Sequence, residues 1–155
     1  MESVFPYREP IKVGNLELSA EEIISVLGNW ITEALGFQCV HLIETSAKYK
    51  QANRVTQGAE KWLDIIRWKS SEECVSWLKK RGFRICVTVL EEAKSIDEVD
   101  FLSPTAVVLG NEHEGVSKEM IAYADERVII PMYGFTRSFN ISVAGGIILY
   151  HIVRQ

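Results

Sequence analysis

Four short apolar runs constrain this chain more than any other feature: 37–43 (FQCVHLI), 83–90 (FRICVTVL), 105–109 (TAVVL) and 127–130 (RVII). Each is too short for a globular helix and apolar nearly throughout rather than at every second residue, the pattern of a strand buried on both faces. Helical signals lie between them. Ser19 with Glu22 three residues on forms a capping box, and Ile23, Leu27, Trp30, Ile31 and Ala34 follow at helical spacing with Gly36 as the stop, which predicts a helix over about 20–35. Ser70 with Glu73 opens a second helix that carries Val75 and Leu78 and ends at Gly82. A third runs from Ser117 to about Tyr123, and 139–153 is an apolar final helix. Strands alternating with helices predict an α/β fold with a mainly parallel sheet covered on both faces. With no repeat, low-complexity tract or Gly/Ser/Pro-rich linker, 1–155 reads as a single domain.

A hydrophobic fraction of 47% over 155 residues is enough to build a real core. No apolar run approaches the roughly 18 residues that cross a bilayer, and MESVFPYREP lacks the build of a secretory signal, so a soluble protein of the cytoplasm or an organelle matrix is expected. Cys39, Cys74 and Cys86 are far apart among apolar neighbours, a spacing that suits buried free thiols and neither a disulfide framework nor a metal site. The net charge of −4 excludes a protein that holds nucleic acid by bulk attraction alone. Its distribution is uneven: residues 48–84 hold ten Lys/Arg against four acids, a local +6 where the remainder is −10. That segment, with Lys48, Lys50 and Arg54 at its head, is either a phosphate-facing patch or a set of ordinary solvated faces.

Two segments carry chemistry. In LGNEHEG (109–115), Gly110 and Gly115 flank Asn111, Glu112, His113 and Glu114 directly after a buried strand, so the backbone can approach a ligand closely while carboxylates project from the turn. A Cβ at Gly110 is expected to intrude on that ligand space. Taken alone, the segment equally suits a strand-to-helix turn capped by Ser117. In IPMYGFTRSFNISVA (130–144), a polar loop with Arg137 and Ser138 leads to Asn140 at the head of an apolar helix, which offers donors to an anion or ligand; helix capping accounts for Ser138 or Asn140 but not for the set. Both segments begin where a strand ends, and parallel α/β sheets bind ligands outside the carboxyl ends of their strands.

Together the two segments resemble the second and third motifs of the SpoU/TrmH ribose 2′-O-methyltransferases of the SPOUT superfamily, and the final loop and helix are most similar to the branch that methylates a guanosine in tRNA. The resemblance is close over about 104–154 and looser back to Gly36, where VTQGAEKWL (55–63) also looks like that branch. It implies a trefoil knot over 104–154 whose backbone holds S-adenosylmethionine, an arrangement that general rules of chain connection would not predict. It further implies cofactor contacts from Thr88, Leu109, Gly110, Ile130, Met132 and Phe139. Glu112 would orient RNA or its ribose, Ser138 and Asn140 would shape the reacting end, and Arg137 would meet a phosphate. A homodimer formed through the knot is part of the same implication, with tRNA as partner and no metal.

One departure stands against the pattern. Family members carry a first motif, an Asn followed by an Arg on a helix, where the Arg assists activation of the hydroxyl; here the register from Gly36 puts Trp30 at that place, with Asn29 beside it. Residues 1–35 form a divergent segment, and 1–28 resemble no strand of the family. An inactive paralogue, an enzyme in which Arg8 or Arg54 substitutes in space, and a chain with an altered N-terminal part all accommodate this. Three functions therefore stand: a tRNA 2′-O-methyltransferase, a catalytically silent RNA-binding relative that keeps the cofactor pocket, and a flavodoxin-like ligand-binding domain unrelated to RNA. Trp30, Trp62, Trp68 and Trp77 are expected in the core rather than on an RNA surface, His41 and His151 in structural positions, and His113 on the surface.

Overall fold

Successive residues of a strand point to opposite faces of a sheet, so a strand apolar throughout needs a core on each side of it. The computed structural model, which describes residues 16–18, 34–37, 39–43, 64–110, 114–136 and 138–155, has this arrangement. Strands β1 (Leu16–Leu18), β2 (Cys39–Ile43), β3 (Asp64–Trp68), β4 (Arg84–Thr88), β5 (Lys94–Ser95), β6 (Thr105–Val108) and β7 (Glu126–Ile129) form one sheet, parallel throughout, in the order β3-β2-β1-β6-β4-β7-β5. Ile85 and Val87 of β4 with Ala106 and Val108 of β6 pack on one face against Cys74, Val75 and Leu78 of helix α1 (Ser71–Lys79) and Met120 of α2 (Lys118–Ala122). Cys86 and Val107, the residues between, face the other way onto Ile148, Leu149 and Ile152 of α3 (Ile141–Arg154). Full burial of each such Val, Ile or Leu is worth about 1.5–3 kcal/mol, so the two faces together carry most of the drive to fold.

The helices begin where their capping residues predict. Ser70 accepts from the Glu73 amide and Ser117 from the Met120 amide, at 3.2 Å in each case. Gly82, in the left-handed region at φ 81°, ends the turn after α1 by donating to the Lys79 carbonyl, a conformation a side chain would strain. The expected first helix falls almost wholly outside the described residues, as do Trp30 and Trp62. Strands β1, β3 and β5 are additions to the four expected ones, and β4, β6 and β7 stop one or two residues sooner than their apolar runs. The early stops leave Leu109 and Ile130 one residue past a strand end.

His41 is fully buried on β2, where its Nδ1 accepts from Trp68 Nε1 at 2.8 Å and the two rings lie nearly parallel, 5.8 Å between centroids. Trp77 closes the cluster from α1, and Arg81 lies over its outer face at 3.6 Å. Burial lowers the His41 pKa from 6.5 to about 4, so the imidazole is neutral near pH 7. No disulfide joins the three cysteines; Cys74 and Cys86 are buried while Cys39 is half-buried, a correction to the expectation that all three are interior. Burial, with the charge of Glu126 added and that of Arg84 opposing, pushes the Cys86 thiol up to about 12, which keeps it inert. Among the described residues no helix is long and apolar enough to cross a membrane.

Candidate functional site

Strands β6, β4 and β7 are neighbours, and their carboxyl ends open onto one cavity of about 670 Å³. Thr88 closes β4, Leu109 and Gly110 follow β6, and Ile130 and Met132 follow β7; all five line the cavity. Ser138, Phe139 and Asn140 complete its wall at the head of α3. Every described residue among those predicted for the site is thus on this one surface. Glu112, Arg137, Lys48, Lys50, Arg54 and Arg8 lie outside the described residues, as do Asn111 and His113.

Leu90, Ile96 and Ile148 also line the cavity, and no local signal in the sequence marks them. Ile148 reaches it from α3 and Ile96 from the short 3₁₀ turn Ile96–Glu98, so only the packing of distant elements brings them there. Glu114, grouped with the turn in the sequence reading, is the sole charged side chain among the described lining residues. The remaining wall is mainly apolar, the character of a small-molecule pocket.

Three local arrangements set this wall. The Thr88 hydroxyl donates to the Val108 carbonyl at 3.0 Å, tying the end of β4 to the end of β6, so it is committed to the sheet rather than to a ligand. On α3, a Cβ at Gly145 would lie 3.1 Å from Leu109 Cδ1, so the helix packs closely on the residue that backs the cavity. At Gly110 the chain closely approaches itself. A Cβ there would lie 2.1 Å from the Gly115 carbonyl carbon and 2.2 Å from the Val116 nitrogen, so a side chain would press on the loop's own backbone as well as bordering the cavity. The two legs of the loop run backbone against backbone, and glycine is what lets them meet.

Asn140 has the extended backbone of an N-cap, φ −54° and ψ 142°, and its Oδ1 accepts from the Ser142 amide at 2.9 Å. Asn140→Ala is expected to cost about 0.5–2 kcal/mol, a fall of roughly 1–8 °C in melting temperature for a domain of this size. Thermal unfolding followed by circular dichroism checks this, and an unshifted melt would show that the cap is replaceable.

A doubly covered parallel sheet with a mainly apolar cavity outside the carboxyl ends of adjacent strands defines a small-molecule-binding α/β domain. The chain belongs to the SpoU rRNA methylase family, whose model matches residues 31–150. The flavodoxin-like alternative is thereby set aside. The chain is 40% identical over 125 residues to the tRNA (guanosine(18)-2′-O)-methyltransferase of Aquifex aeolicus, covering 79% of this chain and 59% of that one. It is also similar to the crystal structure of the A. aeolicus TrmH/SpoU tRNA modifying enzyme, at 34% identity and a TM-score of 0.79, covering 93% of this chain and 75% of that one. A further likeness is to the SpoU methyltransferase AviRb from Streptomyces viridochromogenes in complex with AdoMet, at 26% identity and a TM-score of 0.79, covering 96% of this chain and 59% of that one. The chain spans 54 to 64% of the length of the curated tRNA methyltransferases it matches.

Proposed function

We propose that this chain binds S-adenosylmethionine in the cavity beyond β6, β4 and β7 and transfers its methyl group to a ribose 2′-hydroxyl of RNA, with a tRNA guanosine as the target. The observation that carries the reading is the gathering of Thr88, Leu109, Gly110, Ile130, Met132 and Phe139 with Ser138 and Asn140 on one mainly apolar wall. Relatives named as tRNA (guanosine(18)-2′-O)-methyltransferases support the substrate, and the AdoMet complex of AviRb supports the cofactor. The residues fit the group: apolar side chains suit its adenine, and backbone past the ends of β6 and β7 stands on the wall where its polar edges would lie. When bound, that cofactor supplies an activated methyl on a positive sulfur.

The protein's task is then positioning. The ribose oxygen forms a bond to the methyl carbon as the sulfur–methyl bond breaks, and the hydroxyl proton passes to a base. In this reading Leu109, Ile130, Met132 and Phe139 hold the cofactor, and Ser138 and Asn140 hold the reacting end. Glu112 orients the ribose, and Arg137, Lys48, Lys50 and Arg54 meet RNA phosphates. Residues 104–154 form the knot, within a single methyltransferase domain over 1–155. Val143, Ile147, Tyr150 and Val153 leave an apolar face of α3 exposed, which supports a homodimer built through this region.

Calorimetry with S-adenosylmethionine and S-adenosylhomocysteine, then mass spectrometry of nucleosides from tRNA incubated with protein and cofactor, tests the proposal. Binding of both ligands and a new 2′-O-methylated guanosine are expected, and failure to bind either ligand would sink it. Trp30 in place of the first-motif Arg favours a second reading, an RNA-binding relative without transfer; cofactor and tRNA binding with no methylated nucleoside would establish that one. Asn140→Asp keeps a capping oxygen while removing the amide donors, so its melting temperature should hold while transfer falls. Unaltered transfer in Asn140→Asp would leave the residue a cap only.

A further inference from the structure

The cavity wall includes Met132 and resumes at Ser138, and the chain between them carries two aromatic side chains that touch almost nothing: Tyr133 is 97% exposed and Phe135 107%. Both are anchored close to the wall. Tyr133 adjoins Met132, and Phe135 is three residues from either end, so its Cα lies no more than about 11 Å from a wall residue. Solvated rings in that position are apolar surface left outside the fold beside the cavity proposed to hold the cofactor. The composition of the loop adds a second observation. From Ile130 to Asn140 the sequence contains no acidic residue and one permanent cation, Arg137. Aromatic faces with a cation and no anion make up the surface that holds an unpaired nucleic-acid strand, on which bases stack while the phosphate meets the positive charge.

We propose that Tyr133 and Phe135 are a base-stacking platform for unpaired nucleotides of the RNA beside the methylated ribose. The inference rests on the RNA 2′-O-methyl transfer proposed above and adds how the strand is held at the cavity mouth. Stacking accepts any base, so the platform fixes the strand without reading its sequence, and specificity has to come from other contacts. A pyrimidine or purine resting on either ring replaces the water now covering it, and the ribose of a neighbouring nucleotide is then confined near Ser138 and Asn140. The alternative occupant is a second copy of the chain. The exposed face of α3 already offers that copy an apolar surface, whereas two fully solvated rings flanking Gly134 on a loop suit insertion between bases better than a flat interface.

The test compares wild type with Tyr133→Ala, Phe135→Ala and the double variant, alongside the conservative Tyr133→Phe and Phe135→Trp, in steady-state methylation of tRNA. Each alanine is expected to raise the KM for tRNA roughly 5- to 100-fold. Affinity for S-adenosylhomocysteine and the oligomeric state by light scattering should stay at wild-type values, and the conservative variants should retain the wild-type KM. A wild-type enzyme that methylates tRNA, together with a double variant of unchanged KM, overturns the platform and leaves the proposed function standing. Conversion of the double variant to a lower oligomeric state overturns it in favour of a second copy. A wild type that methylates no tRNA overturns the proposed function, and the platform with it.

Discussion

Gly110→Ala is expected to lower the melting temperature by roughly 6–12 °C and to abolish S-adenosylmethionine binding in the same step. The added Cβ would stand 2.1 Å from one backbone atom and 2.2 Å from another, and backbone on both legs of a closed loop cannot move aside as a flexible side-chain tip can. Overpacking of this kind costs about 3 kcal/mol, near the upper end of the usual range, and in a domain of this length each kcal/mol corresponds to roughly 2–4 °C. Thermal melts and calorimetry on one preparation separate the two possible causes. Lost binding with a wild-type melt would show that the methyl enters ligand space. A wild-type melt with full binding would show that the loop opens easily and that the cavity wall is drawn wrongly.

Acidification is expected to remove stability on the order of 2 kcal/mol between about pH 6.5 and pH 4 through His41 alone. Burial holds the folded pKa near 4 while the unfolded chain titrates near 6.5, so between those values the unfolded state carries the extra proton and stability rises with pH. Geometry gives the same sign. Nδ1 must be unprotonated to accept from Trp68 Nε1 at 2.8 Å, and an imidazolium would turn two N–H groups against each other. Urea unfolding of wild type and His41→Gln from pH 7.5 down to 4 measures the difference. Glutamine keeps an acceptor but does not titrate, so its curve should be flatter through this window, and parallel curves would mean that another group governs the loss.

The sheet was legible wherever a run of β-branched residues was long enough to exclude other structures. The runs 83–90 and 105–109 contain β4 and β6, the neighbours at the heart of the cavity-bearing half. Strand β1 is three residues with Glu17 at its middle, and β5 is two, lengths at which no periodicity exists. Strand β3 reads DIIRW, charged at two of five positions, and its pairing with β2 rather than its composition makes it a strand. At the cavity, a glycine just past a strand end marked Gly110 and a polar residue at a helix start marked Asn140, whereas Met132 was indicated by the family resemblance alone. Ile96 and Ile148 carry no such mark: an isoleucine against a ligand and one against a core look alike until tertiary packing sets which side is empty. The sequence indicated a close approach at Gly110, and only the assembled loop identified the other party as Gly115 and Val116.

The position of β1 governs the order in which this chain can assemble. β1 alone joins β3-β2 to β6-β4-β7-β5, through Leu16 and Glu17 paired with Val107 and Val108. That pairing spans about 90 residues of chain, whereas β4 meets β6 across about 20, and the difference of some two doublings in loop length costs roughly 1.3 kcal/mol more in closure entropy. The pairs among β4, β6 and β7 are therefore favoured to form before β1 arrives. All described residues of the cavity wall, from Thr88 to Ile148, belong to that shorter-range part of the chain, so the pocket can be shaped on a half-built sheet and the three-residue strand β1 docked afterward as its keystone.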